Sequence, residues 1–487
     1  MKELTIARAH QLMQDKKITA VQLAEYYLDR IEKFDKKGPK LNSIILINPN
    51  ALQEAKTLDE RFLKEGFVGP LHGIPVILKD NCETYDMPTT AGAIALKGFE
   101  SKKDAFLVRK LRDAGAIILA KSNLHEFAIW GETISSIQGQ TLNPYDLTRT
   151  PGGSSGGTGA AIAADFGIVG IGSDTINSVR SPSSANSLAG IRPTMGCVSR
   201  GGIVPYSMTQ DTAGPICRTV EDAAKTLSVI AGYDSEDPLT AWSFPHRGTD
   251  YSKGLEKGGL EGKRIGVLRS FFGKEEVNRE VNAVVNAAIA QMHAAGAVIV
   301  EIKEDVNSAW LTSEVSVHLD DFADHLTAYL SAIPADKAAV RSLKDIYEKG
   351  LYHPVDRENI ETAIKLTTKS PEYDKKILRQ AQVKNTIMKI IADYALDAIV
   401  YPHQQQLVCK VGSSQKQRNG VLCSVTGFPS VIVPAGFSKP DSDAPGGVPI
   451  GMEFIGEPWS ERRLIGIAYA FEQATHYRQS PQPAIFG

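Results

Sequence analysis

Apolar positions along this chain fall into two textures. Between residues 19 and 31 they recur at helical spacing, with Ala24, Tyr27, Leu28 and Ile31 at i, i+3, i+4 and i+7, behind a Thr19/Gln22 pair at capping-box distance. The spacing predicts a helical segment over residues 1–62. From His72 the texture changes to short apolar runs alternating with helices. Residues 74–78 read as a buried strand. Asp104 reads as the cap of a helix running through Leu111 and stopped by Gly115, and residues 116–120 read as the next strand. Strand, helix and strand in so short a span predict a largely parallel sheet with helices on its faces.

Residues 151–220 read as a loop, a small-residue helix (156–164), a strand (168–171) and a tight loop. Glycine and serine enrichment can mark a flexible linker. Here it is interleaved with Ala161-Ile162-Ala163-Ala164 and Ile168-Val169-Gly170-Ile171, which a linker has no reason to contain. Residues 234–262 are polar and loop-like, 264–268 a strand, and 275–395 mostly charged amphipathic helix, forming a lid or flank that varies a pocket. Residues 398–401 and 430–434 read as strands, and Leu464, Ile467, Ala468 and Phe471 line one face of a closing helix. Apolar segments from both ends are needed for one sheet. The pattern therefore predicts a single large α/β domain over 1–487, with a mixed, mostly parallel twisted sheet covered by helices on both faces. Within it lie a helical segment (1–62), a core (63–230), a variable helical region (231–395) and a completing α/β part (396–487).

Composition narrows the function without naming it. A chain of 487 residues, 42% hydrophobic and 23% charged, has the make-up of an ordinary globular protein. A net charge of −2 gives no long-range pull toward nucleic acid or an anionic membrane, so neither is an expected partner. Five scattered cysteines without a Cys-x-x-Cys spacing fit free thiols in a reducing compartment. No signal-peptide core follows Met1, and the longest apolar stretch, 159–172, is broken by Asp165. The expected location is cytoplasmic.

Three segments carry chemistry. Lys79 closes the 74–78 strand. Ser154 and Ser155 sit in Pro151-Gly152-Gly153-Ser154-Ser155-Gly156-Gly157-Thr158. Ser178, 24 positions beyond Ser154, ends Gly172-Ser173-Asp174-Thr175-Ile176-Asn177-Ser178 ahead of Val179-Arg180. Amide hydrolysis needs a nucleophile, a base, an acid for the departing amine and donors for the oxyanion. A lysine buried among Ile74, Val76, Ile77 and Leu78 is pushed toward its neutral form and can act as a base. A second serine can relay the proton, because a hydroxyl donates and accepts at once.

This constellation resembles the amidase signature family. That family's pattern joins a Gly-Gly-Ser-Ser-Gly-Gly run, a Gly-Ser/Thr-Asp-x-x-x-Ser-x-Arg loop and a lysine ending an upstream strand. The flanks agree in Lys121-Ser122-Asn123-Leu124-His125-Glu126-Phe127-Ala128, Gly190-Ile191-Arg192-Pro193 and Asp211-Thr212-Ala213-Gly214-Pro215. The likeness is dense over 63–230, returns at 426–430 and 447–452, and is thin across 232–395. It implies Ser178 as nucleophile, Ser154 as relay with a cis peptide bond, and Lys79 as base. It implies an oxyanion hole of the backbone N–H groups of Thr175, Ile176, Asn177 and Ser178, with Ser155, Asp174 and Arg180 in support. Many relatives carry Gly-Gly where this chain has Ile176-Asn177, and Ile176 is expected to hold an ordinary torsion. No cofactor is implied, and a homodimer would be unsurprising.

Other readings stand beside these. The Gly152–Thr158 run could be an anion-binding nest, but it lacks the Gly-Lys-Ser/Thr ending of a P-loop. His318, Asp321 and His325 share a helix face as metal ligands could, though a solvated face suits their acidic surroundings better. Ile129 and Trp130 are pocket candidates, as is His403, which could instead merely cap its strand. Specificity is expected in 129–134, 300–380 and 403–419. The leading function is hydrolysis of a small-molecule amide or carbamate. Its alternatives are the glutaminase subunit of a tRNA-dependent amidotransferase and a non-catalytic binding protein on the same scaffold.

Overall fold

A computed structural model describes residues 1–335 and 337–486. Its thirteen strands are β1 (Ile44–Ile47), β2 (Pro75–Lys79), β3 (Ile117–Ser122), β4 (Ile134–Ser135), β5 (Gly139–Gln140), β6 (Val169–Asp174), β7 (Ala189–Arg192), β8 (Thr212–Cys217), β9 (Arg264–Leu268), β10 (Val298–Ile302), β11 (Ala398–Pro402), β12 (Ser430–Phe437) and β13 (Pro449–Ile455). All but the β4–β5 pair join one sheet, in the order β1-β3-β2-β6-β8-β7-β12-β13-β11-β9-β10. Strands drawn from both ends of the chain thus build one core, and helices flank it.

The sheet is mixed, as expected, but it is not mostly parallel. Four neighbouring pairs run parallel and six antiparallel. The parallel pairs include β2–β3 and β2–β6, the strand–helix–strand units visible in the sequence. The antiparallel centre, β8-β7-β12-β13-β11, is assembled from segments far apart in the chain, which local texture does not report.

Most other elements fall where the pattern puts them. The Thr19/Gln22 capping box opens the helix Ala20–Arg30, with both reciprocal bonds made. Leu464, Ile467, Ala468 and Phe471 are buried on one face of Glu461–Thr475. Asp104 does not cap its helix. Phe106–Asp113 starts after Ala105 without a side-chain cap, while Asp104 accepts from Tyr85 N and pairs with Arg112 at 3.2 Å. An ion pair across a turn outcompetes the cap. Inside the region read as helical lies the strand β10, a β-branched run that forms the sheet's edge. All five cysteines are unpaired. No helix among the described residues is long and apolar enough to cross a membrane.

Candidate active site

Two parallel strands, β2 and β6, bring the candidate residues to one end of the sheet. Lys79 is the last residue of β2, and β6 ends at Asp174, just before the loop 175–179. The helix Gly156–Ala163 begins immediately after Ser154-Ser155 and packs on both strands. It can lie this close because it is built from small residues. A Cβ on Gly157 would stand 2.2 Å from the Asn123 carbonyl oxygen, and one on Gly172 would stand 2.8 Å from Ser155 Oγ. Ser155 N donates to the Ser178 carbonyl at 3.3 Å, which ties the two serine loops together. The Gly153–Ser154 peptide bond is cis.

Lys79 is fully buried, and its Nζ donates to Ser154 Oγ at 2.7 Å and to Ser173 Oγ at 2.9 Å. Among the described residues no carboxylate lies within ion-pair distance of it. Burial therefore acts unopposed at short range and pulls its pKa down to about 7, with only weaker attraction from Cys82, Asp174 and Asp211 working the other way. Lys121, at the corresponding end of β3, is equally buried but sits 3.3 Å from Asp80.

The loop 175–179 is held from behind. Arg180 donates through Nε and Nη2 to both oxygens of Asp174, at 3.1 and 3.0 Å. It also donates to the Ile176 carbonyl at 2.5 Å and to Glu453 at 2.5 Å. Arg192 adds a third link, 2.7 Å from Asp174. Burial alone would raise the Asp174 carboxyl, but Arg180 and Arg192 outweigh it and hold it well below the ordinary range. Ser424 Oγ donates to the Ile176 carbonyl at 2.6 Å. Among the described residues, none of the N–H groups of Thr175, Ile176, Asn177 and Ser178 donates to an acceptor in the chain. Neither Ile176 nor Asn177 has a positive φ.

All four of these residues line a cavity of about 790 Å³. Ile129 and Trp130 form part of its wall, as the sequence suggests, and the Arg418 guanidinium lies over the Trp130 ring at 4.9 Å. The remaining wall comes largely from 305–320 and 405–421. Ser178 Oγ has no hydrogen-bond partner among the described residues, so the Lys79–Ser154 link is formed and the Ser154–Ser178 link is open.

Two expectations need correcting. His403 does not reach the cavity; it is fully buried, with Nδ1 2.7 Å from Glu453 Oε2, behind the loop. His318 and Asp321 are not on a solvated face. Both are buried, because the helix His318–Ala332 packs on the 206–211 loop: Ser207 Oγ donates to Asp321 at 2.5 Å and the Tyr206 ring meets His318 edge-on. Nor do they form a metal site with His325, since no cluster of metal-binding side chains occurs among the described residues.

Some participants are not legible in the sequence. Ser173 stands inside the quoted motif, but nothing in one sequence distinguishes it from a structural serine; the available signal is its place at the end of a strand parallel to β2. Glu453 lies 273 residues beyond Arg180, and no spacing rule reaches so far.

The amidase family model matches residues 22–465. A glutamyl-tRNA(Gln) amidotransferase subunit of Microcystis aeruginosa is 35% identical over 491 residues, covering 98% of this chain and 99% of its own. A probable amidase of Arabidopsis thaliana is 35% identical, covering 99% and 92%. Among solved structures, the peptide amidase of Stenotrophomonas maltophilia superposes with a TM-score of 0.89 at 35% identity, covering 99% of both chains. These likenesses run over nearly the whole length, and the chain belongs to the amidase signature family of carbon–nitrogen hydrolases.

Proposed function

We propose that the chain hydrolyses a carboxamide through an acyl-enzyme on Ser178, with Ser154 as proton relay and neutral Lys79 as base. The observation that carries this reading is Lys79: a dry amine without a carboxylate partner, 2.7 Å from Ser154 Oγ, beneath a cavity floored by Ser178. Substrate binding brings Ser178 Oγ to donate to Ser154, closing a relay that is open in the free site. Oγ attacks the carbonyl carbon while the proton passes through Ser154 to Lys79. The free N–H groups of 175–178 hold the oxyanion. The proton then returns through the relay to the departing amine, and water hydrolyses the ester by the same route. Ser155 and the Asp174–Arg180 pair support the loop rather than touch substrate.

The cavity is large enough for a group well beyond a single carboxamide. Its apolar wall of Ile129, Trp130, Leu319 and Val421 suits a partly apolar substrate. The likeness to a peptide amidase supports the same class, a small molecule or short peptide. The second reading, a glutaminase subunit supplying a tRNA-charging complex, is favoured by the relative from Microcystis aeruginosa. Turnover of a panel of peptide amides, aryl amides, carbamates and glutamine by the purified chain separates the two. We expect amide hydrolysis without a partner, and loss of about four orders of magnitude or more in kcat/KM for Ser178→Ala and for Lys79→Met, with the double variant no worse than either. Ammonia release from glutamine alone, and only with an added partner, would select the second reading. Near-native turnover by Ser178→Ala would overturn both.

A further inference from the structure

A cation in the cavity wall is fixed in place with donors to spare. Arg418 lines the same cavity as Ser178 and Trp130. Its Nη2 donates to Glu132 Oε1 at 2.9 Å, and this is its one side-chain hydrogen bond among the described residues. Nε is enclosed without a partner, whereas Nη1 is neither bonded nor enclosed. The side chain keeps 18% of its surface open, and the cavity is the space it lines. A guanidinium only donates, so these N–H groups need an acceptor that the chain does not supply.

The surroundings of Arg418 fix where those donors lie. The guanidinium lies over the Trp130 ring at 4.9 Å and close against Gly131, where a Cβ would stand 2.7 Å from Nη1 and 2.9 Å from Cζ. Gly131 in turn abuts the relay loop, since a Cβ on Gly153 would stand 2.8 Å from the Gly131 carbonyl carbon. Just beyond Arg418, a Cβ on Gly420 would stand 2.5 Å from Asn177 Cβ. The residues next to Arg418 therefore touch both the loop carrying Ser154 and the loop carrying Ser178. Glu132 Oε1 also accepts from Gln415 N at 2.8 Å, Trp130 Nε1 donates to Ser414 Oγ at 3.1 Å, and Gln405 N donates to the Gln417 carbonyl at 3.0 Å. These bonds knit 130–132 to the ribbon 404–418, so the planar fork is oriented before any ligand binds.

We infer that Arg418 is a specificity-determining residue whose Nη1 donates to an uncharged carbonyl oxygen in the acyl part of the substrate, the oxygen that precedes the scissile carboxamide in an N-acylamino acid amide. This deepens the amidase reading and rests on it. An uncharged oxygen is favoured because Glu132 already opposes the guanidinium, and a carboxylate brought to Nη1 would be repelled by Glu132. The Trp130 ring offers an apolar face to the carbon chain that carries this oxygen.

The test compares kcat/KM for two amides. One is a γ-keto primary amide with a phenyl end, which sets its ketone where that acyl carbonyl stands. The other has CH2 in place of the ketone C=O. Wild type is expected to prefer the keto amide by about tenfold to a hundredfold, as a hydrogen bond from a charged donor allows. Arg418→Met keeps a side chain to pack on Trp130 but has no donor, and the preference should fall to within about threefold of unity. Arg418→Gln, too short to bring a donor to the same place, should lose the preference likewise. It carries the test if Arg418→Met does not fold, with fluorophosphonate labelling of Ser178 reporting folding. An analogue with a carboxylate in place of the ketone should be a poorer substrate than the keto amide. A wild-type preference below about twofold overturns the inference while the amidase reading stands. So does a preference that survives both substitutions, as an equal loss for the two amides would leave it. A carboxylate analogue better than the keto amide, or no turnover of the keto amide by an enzyme that hydrolyses a peptide amide, does the same. If wild type hydrolyses none of these compounds and no peptide amide, the amidase reading has failed and the inference with it.

Discussion

Lys79 and Lys121 show how one neighbouring carboxylate separates two identical side chains. Lys79 ends β2, Lys121 is the penultimate residue of the parallel β3, and both are fully buried. Lys121 faces Asp80, whereas among the described residues Lys79 donates only to hydroxyls. Burial without an anion at short range lowers the Lys79 pKa. Ser173 takes part in this balance, because its oxygen accepts from Lys79 Nζ and from Asn81 Nδ2 at 2.9 Å each. Ser173→Ala removes an acceptor that favours the ammonium and lets the amine swing away from Ser154. The pH midpoint of kcat/KM should move down, and its plateau should fall by about tenfold. A pH–rate profile superimposable on wild type would show that Ser173 has no part in the site. The three principal residues are readable because each stands in a local motif. Ser173 and Glu453 are not, because their roles exist only across strands or across 273 residues of chain.

At the scale of elements, the small-residue helix Gly156–Ala163 is the piece that brings Ser154 against Lys79. Its glycines are usually a cost to a helix, roughly 1 kcal/mol each against alanine. Gly157 is kept by contact, since a methyl group there would meet the Asn123 backbone oxygen at 2.2 Å and nitrogen at 2.7 Å. Gly157→Ala should therefore destabilise the chain by about 1–3 kcal/mol despite its better helix propensity. Gly466, inside Glu461–Thr475 with open space around it, is the control, and Gly466→Ala should stabilise by about 0.5–1 kcal/mol. Denaturant midpoints read both; a neutral or stabilising Gly157→Ala would mean that close packing is not what keeps this glycine. The sequence's small-residue run reveals this helix, and its Ser-Gly start reveals the loop. The cap at Asp104 and the strand β10 are misread because an ion pair in one case, and sheet pairing in the other, override local preference.

The whole molecule supplies what no motif can, a dry site. Parallel β2 and β6, the helix starting at Gly156 and the loop 175–179 surround Lys79 on all sides. The strand–helix–strand units are legible from apolar runs, but the antiparallel centre is not, since its partners come from opposite ends of the chain. Much of the cavity wall comes from the three segments where specificity is expected, with Tyr206, Ser270, Lys274 and Val421 added from outside them, and which side chains face inward is decided by tertiary packing. Because burial sets the Lys79 pKa, the amine's charge is a property of the complete fold. Protonated Lys79 cannot take the relayed proton, so activity should be lost as pH falls through its pKa. The decisive measurement is kcat/KM of wild type for a primary amide from pH 5 to pH 10. A neutral lysine base predicts a single ascending limb with its midpoint near the Lys79 pKa of about 7 and a plateau above it. A rate that is flat across this range, or that rises only toward the ordinary lysine value of 10.5, would contradict that base.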